Sequence, residues 1–236
     1  MRIITWNCNM AFRNKSEYII SKKPDILVIQ ECENLNKNLF QNCLQKPCRS
    51  FWYGTNINKG IGVFTFSNYE IELLKIHNPE FRFILPLSVK NEESEYIILA
   101  VWTQKPKYHD CYTEQIWNAI HYYSELFKNE NLIIIGDFNS NSIWDKPKRI
   151  YNHTNLVNKL LEYNIYSSYH AFYQENQGKE TRATLFMHRK KERPYHIDYC
   201  FISEKLKNKL KNVIVGEYEF WTKLSDHTPL IVDFKE

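Results

Sequence analysis

The stretch Asn131–Ser142, NLIIIGDFNSNS, decides how the chain is read. Leu132 to Ile135 are four consecutive aliphatic residues closed by Gly136, the pattern of a strand buried on both faces. Asp137 and Asn139 follow at once, with Phe138 between them as an anchor. The C-terminal edge of such strands is where open α/β sheets place ligands. Asp and Asn also close ordinary turns with their own side chains, so the meaning of this turn depends on the flanking chain.

Two earlier strands end in the same way. Arg2 to Trp6 is apolar and stops at Asn7; Asp25 to Ile29 stops at Gln30-Glu31. Three buried strands finishing in polar residues say more than any one of them. Later, Tyr195–Phe201, YHIDYCF, sets Asp198 inside a mostly apolar strand, where a carboxylate is costly unless it is paired. Ser225-Asp226-His227-Thr228-Pro229-Leu230 puts an Asp-His dipeptide just ahead of a closing strand. Asp198 and His227 are therefore candidates for an orienting pair. A structural, hydrogen-bonded histidine is the plain alternative for His227.

The remaining pattern supplies the scaffold. Helices are expected over Lys15–Ser21, Leu35–Leu44, Tyr112–Phe127, Leu156–Leu161 and Lys205–Leu210. Strands are expected over Phe51–Tyr53, Ile61–Phe66, Ile71–Ile76, Phe81–Leu85, Tyr96–Trp102, Ile197–Ile202, Val213–Val215 and Leu230–Val232. No internal repeat, low-complexity tract or linker interrupts them. This predicts two packed sheets with helices outside, in one domain over residues 1–236.

Composition narrows the partners. Charged residues at 25% beside hydrophobic ones at 43% describe a globular chain rather than a disordered one. Thirty-one basic against 27 acidic residues leave a net charge of +4, which permits a polyanionic partner without demanding one. The six cysteines form no CxxC pair, which argues against a zinc knuckle or a thioredoxin-like motif and for buried free thiols in a reducing compartment. The opening MRIITWN is already a strand, with no charged leader and long apolar core, and no run approaches membrane-spanning length. A soluble, cytoplasmic, monomeric protein with no membrane partner is expected.

Taken in order, TWN near the N-terminus, QE ending the second strand, GDFN, a strand of HIDY type and the late SDH resemble the endonuclease/exonuclease/phosphatase superfamily, the group of DNase I and the abasic-site nucleases. The resemblance covers nearly the whole chain. It implies a four-layer α/β/β/α sandwich, a divalent metal and hydrolysis of a phosphate ester, with DNA as the expected substrate. A hard cation such as Mg²⁺, with Mn²⁺ as an alternative, would neutralise phosphate oxygens and take oxygen ligands. Glu31 is the first choice as ligand, with Asp226 contributing to the same or a second position. The family pattern gives Asp137 the role of holding the attacking water. Asn7 and Asn139 suit neutral donors to the oxyanion, and His227, paired with Asp198, would stabilise charge building on phosphorus.

One departure bears on substrate. Relatives carry a His or a Tyr on the strand before the long middle helix, whereas AVWT here presents Trp102, and an indole donates one hydrogen bond but exchanges no proton. Tyr108, His109 and Tyr112 follow closely as substitutes. TWN is also similar to the opening of tyrosyl-DNA phosphodiesterases, so RNA, tyrosyl-DNA adducts and small phosphoesters stand as alternatives, with a binding module that has lost catalysis as a rival of another class. The basic window Arg182–Arg193, which includes Arg189, is placed to meet a nucleic-acid backbone, or else is a solvated hairpin. Trp144 and Trp221, each close in sequence to a catalytic motif, are expected to join Trp102, Arg182 and Arg189 as substrate contacts.

Overall fold

The computed structural model describes residues 1–104 and 112–235. Tyr108 and His109, offered above as proton donors, lie outside the described residues. The chain begins with β1 (Arg2–Asn7), α1 (Ser16–Ile20), β2 (Ile26–Cys32), β3 (Arg49–Asn56), β4 (Lys59–Thr65) and β5 (Glu70–Leu73). Next come β6 (Ile84–Lys90), β7 (Glu95–Trp102), α2 (Tyr112–Tyr122), β8 (Leu132–Asp137), α3 (His153–Glu162), β9 (Ile165–Ser167) and α4 (Ser168–Tyr173). It closes with β10 (Leu185–Phe186), β11 (Pro194–Tyr195), β12 (Asp198–Ser203), α5 (Glu204–Asn208), β13 (Leu210–Val215), α6 (Tyr218–Trp221) and β14 (Leu230–Phe234).

Two six-stranded mixed sheets result, in the orders β13-β14-β1-β2-β4-β3 and β5-β6-β7-β8-β12-β9, with β10 and β11 as a separate small hairpin. Alternation along β8 shows how the layers form. Ile133 and Ile135 enter the core between the sheets, meeting Ile3, Val28 and Val63 of the first sheet. Leu132 and Ile134 face the other way, onto Ile116 and Ile120 of α2 and Leu156 and Leu160 of α3. All four β8 side chains are fully buried, and each such burial is worth roughly 1.5–3 kcal/mol of transfer free energy. On the far side of the first sheet, Ile4, Trp6 and Leu27 pack on Ile19 and Ile20 of α1 and on Trp221 of α6. The architecture is the four-layer α/β/β/α sandwich.

Gly136 is required by geometry. Its φ is +143°, and a Cβ there would stand 1.9 Å from the carbonyl oxygen of Val101. Only glycine lets β8 run this close to β7 just before Asp137.

Several expected elements change form. Leu35–Leu44 is not a helix: a 3₁₀ turn over Leu35–Lys37 ends at Asn38, whose φ is +50°. Leu39 is buried while Leu44 is fully exposed, so the apolar residues do not share one face. Phe81 belongs to a 3₁₀ turn that Asn78 caps and Pro79 starts, and the strand begins only at Ile84. The helix expected to Phe127 stops at Tyr122 and gives way to a 3₁₀ turn over Ser124–Lys128. Among the described residues, no helix is long and apolar enough to cross a membrane.

Candidate active site

β1, β2, β7 and β8 all end at one edge of the sandwich, where β12 starts and the loop into β14 passes. This topology gathers Asn7, Glu31, Trp102, Thr103, Gln104, Tyr112, Asp137, Asn139 and His227, with Lys59, around a cleft of about 280 Å³. Three larger hollows elsewhere on the surface, of about 770, 580 and 410 Å³, lack this concentration of buried polar groups. Chemistry rather than size marks the site.

Backbone bends aim two of these side chains. At Glu31 the register between β2 and β4 shifts by a bulge and φ is +57°, turning the carboxylate out of the sheet. At Asn139 φ is +47°, and its backbone N–H donates to Asp137 Oδ1 at 2.9 Å. Asp137 Oδ2 accepts from Asn7 Nδ2 at 3.0 Å, and the same amide lies 3.5 Å from Glu31 Oε1. Asn139 Nδ2 donates to the Thr103 carbonyl at 3.1 Å.

Asp198 stands directly opposite Asp137 in the β12–β8 ladder. Its Oδ2 accepts from His227 Nδ1 at 2.9 Å, while its Oδ1 is buried without a hydrogen-bond partner. Thr184 Oγ1 receives the backbone N–H groups of Ile197 and Asp198, fixing the start of β12. His227 is held from behind: Trp6 Nε1 donates to its carbonyl at 2.9 Å, and its N–H donates to Ser225 Oγ, which donates to the Asn7 carbonyl. These bonds leave Nε2 as the imidazole atom available to the cleft.

The electrostatics follow from the burial of like charges. Burial raises the Asp137 carboxyl, and the Asp198 charge raises it further, to about 7. Burial alone would lower His227, but the charge and hydrogen bond of Asp198, aided by Asp137, carry it up to about 10. The ring is therefore an imidazolium at neutral pH. One ligand-type atom from each of Asp137, Asp198 and His227 lies within 4.8 Å of the others. Within this trio His227 Nδ1 and Asp198 Oδ2 already satisfy each other, so it stands as an ion-paired cluster.

Glu31 offers a better cation position. Its side chain is 17% exposed, and Oε2 lies 3.2 Å from Lys59 Nζ, so a positive charge is already accepted there. The surrounding oxygen and amide groups suit a hard divalent ion. Asp226 is placed beside the site rather than in the cleft lining: its Oδ1 accepts from Asn9 Nδ2 at 3.0 Å. The Asn9–Ala11 turn, left-handed at all three residues, is pinned by Lys15, whose Nζ donates to the carbonyls of Cys8 and Met10.

The expected substrate contacts divide. Trp102 lines the cleft with its ring braced on Phe83. Trp144 is 43% exposed, packs against Tyr195 and lines a hollow of about 140 Å³ that shares Tyr112 and Asn139 with the cleft. Arg189 is exposed, and its charge is felt by Lys15, which also feels Asp226 and Glu31. Arg182 is engaged elsewhere, with Glu175 at 3.1 Å and over the Tyr173 ring at 3.8 Å. Trp221 is corrected: it is 3% exposed and packs edge-on against Trp6 at 5.2 Å. Its aromatic surface belongs to the core, where it supports the Trp6–His227 bond, and offers no face to a substrate. Lys59, Thr103 and Gln104 were absent from the expected site.

The double-sheet sandwich gathers carboxylates, carboxamides and an imidazolium at one edge, a set of groups suited to an anionic ester. The chain belongs to the Endonuclease/Exonuclease/phosphatase family, whose sequence profile matches residues 4–227. Similar solved structures include the 3′ phosphatase NExo from Neisseria in complex with a product DNA hairpin, at 18% identity, with both chains covered in full and a TM-score of 0.71. An AP endonuclease from Archaeoglobus fulgidus shows the same identity, coverage and TM-score. The AP endonuclease LMAP from Leishmania major is 12% identical, with all of this chain and 87% of that one covered, at a TM-score of 0.71. No curated protein sequence matches the chain.

Proposed function

We propose that this protein is a divalent-metal-dependent phosphodiesterase that hydrolyses DNA. The observation that carries the reading is the convergence of Asp137 with the Asp198–His227 pair on the cleft that holds Glu31 and Asn7. Family membership supplies phosphoester chemistry, and the DNA bound to the Neisseria relative favours a nucleic-acid substrate. Trp144, exposed beside the cleft, fits a stacking contact, and the exposed Arg189 fits a backbone contact.

Each residue then has a task its surroundings allow. Glu31, with Asp226 beside the site, would hold a Mg²⁺ or Mn²⁺ ion, which would supply charge neutralisation at the phosphate. Asp137, whose affinity for a proton is tuned to neutrality, orients the attacking water and accepts its proton. Asn7 and Asn139 donate to the phosphate oxygens. The His227 imidazolium, fixed by Asp198, stabilises the negative charge that develops there. The cysteines among the described residues are all free, which suits a reducing cytoplasm, and we read the chain as a monomer.

The test is a substrate panel with Mg²⁺: single- and double-stranded DNA, abasic DNA, RNA, 5′-tyrosyl DNA and a phosphoinositide. Glu31→Ala protein and EDTA serve as controls. Cleavage of DNA that both controls abolish is the expected result. Cleavage confined to RNA or a small ester would replace the DNA assignment, and cleavage that survives EDTA would overturn the metal assignment.

A further inference from the structure

Lys59 stands in the cleft, and the chemistry above leaves it unused. It is the first residue of β4, at the turn of the β3–β4 hairpin, where Asn56 pairs with it. Its Nζ reaches to 3.2 Å from Glu31 Oε2 and lies 5.1 Å from the centroid of the Trp102 ring. Glu31 belongs to the first sheet and Trp102 to the second, so the ammonium spans the two sheets at the edge where Asp137, Asn139 and His227 open. The seat is rigid, because Trp102 is nearly buried and Phe83 braces it at 4.8 Å.

An ammonium over an indole face is held by the ring quadrupole, more strongly as water is excluded. It also carries three rotatable donors and acts on phosphate as a compact charge. Among the described residues, its carboxylate partner is Glu31, the residue to which the metal is assigned. A divalent ion on Glu31 competes with Lys59 for that carboxylate, and the Trp102 face retains the displaced ammonium inside the cleft.

We propose that Lys59 is a phosphate ligand of this site, released for that role when a divalent cation takes Glu31. The inference rests on the metal reading of Glu31 and adds an exchange of partners to it. It also gives Trp102 a task that needs no exchangeable proton.

The experiment measures Mg²⁺ binding, and then inorganic phosphate binding in saturating Mg²⁺, by calorimetry on wild type, Lys59→Met and Lys59→Arg. Removing the competitor should tighten Mg²⁺ binding in Lys59→Met by about two- to fivefold, the scale of a partly exposed ion pair. Phosphate binding in the same variant should weaken by about tenfold. Lys59→Arg, which keeps the charge, should stay close to wild type in both. Opposite shifts separate this role from a structural one, because a damaged fold would weaken both ligands together. Unchanged affinities, or parallel losses, would overturn the inference while leaving the metal reading intact. Failure of wild type to bind Mg²⁺ would bring down the metal reading and this inference with it.

Discussion

Asp198 and Tyr199 are neighbours on β12, yet they serve two buried histidine clusters of opposite character. Asp198 pairs with His227 at the edge of the cleft. Tyr199 points to the outer side of its sheet, where its hydroxyl donates to the carbonyls of Ser140 and His196 and accepts from Asn141 Nδ2. Around it, His153 Nδ1 meets Ser140 Oγ at 2.9 Å and its Nε2 meets Gln177 at 3.3 Å. His170 lies 3.0 Å from Glu180. Burial lowers His153 to about 4, whereas His227, equally buried, is raised to about 10. Burial is common to both rings, so it cannot decide their charge. The partners decide: a carboxylate against one ring, a hydroxyl and an amide against the other. The cluster around Tyr199 ties the loop after β8 to the segment before β10 and supports the GDFN turn from behind, while the Asp198–His227 pair faces the cleft.

The largest effect that would break this division is on rate. Asp198→Asn keeps the shape of the pair but removes the charge that holds His227 protonated. A loss of about 10³-fold in turnover is expected, together with a lowered melting temperature as the buried pair's stabilisation is lost. A variant of nearly full activity would mean that the pair is structural.

Stability sharpens the comparison from the other side. The unfolded chain protonates His153 near its ordinary value, whereas the folded chain resists until about 4. Acid therefore favours unfolding, and stability falls as pH drops through the window between them, by roughly 3 kcal/mol from this residue. His153→Phe should lose roughly 1–2 kcal/mol at neutral pH through its broken hydrogen bonds and show a flatter acid limb, as read by urea denaturation at a series of pH values. An acid limb of unchanged slope would remove His153 from the account. His227 contributes in the opposite sense: its folded value is raised, so its stabilisation is complete below its ordinary value and is lost as pH climbs towards about 10.

The smallest signal is spectroscopic. In metal-free protein, imidazole resonances should show His227 charged and His153 neutral throughout the neutral range. Titration of both together near the ordinary histidine value would erase the distinction.

Much of the catalytic edge was legible in the sequence. Asn7, Glu31 and Asp137 each close an apolar run, and Asp198 interrupts one, so their exceptional chemistry showed against a regular background. Lys59 was not legible. It is an ordinary hairpin lysine whose partners, Glu31 and Trp102, lie on strands distant in sequence. Trp221 misled because closeness in sequence to Asp226 is not closeness of its ring to the cleft; α6 turns it inward onto Trp6. The Leu35–Leu44 stretch carried apolar residues at helical spacing, but Asn36, Asn38 and Asn42 favour turns, and tertiary burial of Leu39 alone did not restore the helix. The histidine cluster around Tyr199 left no trace, since His153, His170 and His196 come from three separate segments and meet only through packing.

The bonds that hold His227 run almost the length of the chain. Trp6 and His227 are 221 positions apart, and Asn7 and Ser225 are 218 apart. During synthesis, Asn7, Glu31, Asp137 and Asp198 all leave the ribosome before the segment that brings the imidazole. The same segment leads into β14, which lies between β13 and β1, so a chain that stops short of His227 lacks an interior strand of the first sheet as well as the imidazole. This late segment therefore couples closure of the first sheet to delivery of the imidazolium to the cleft.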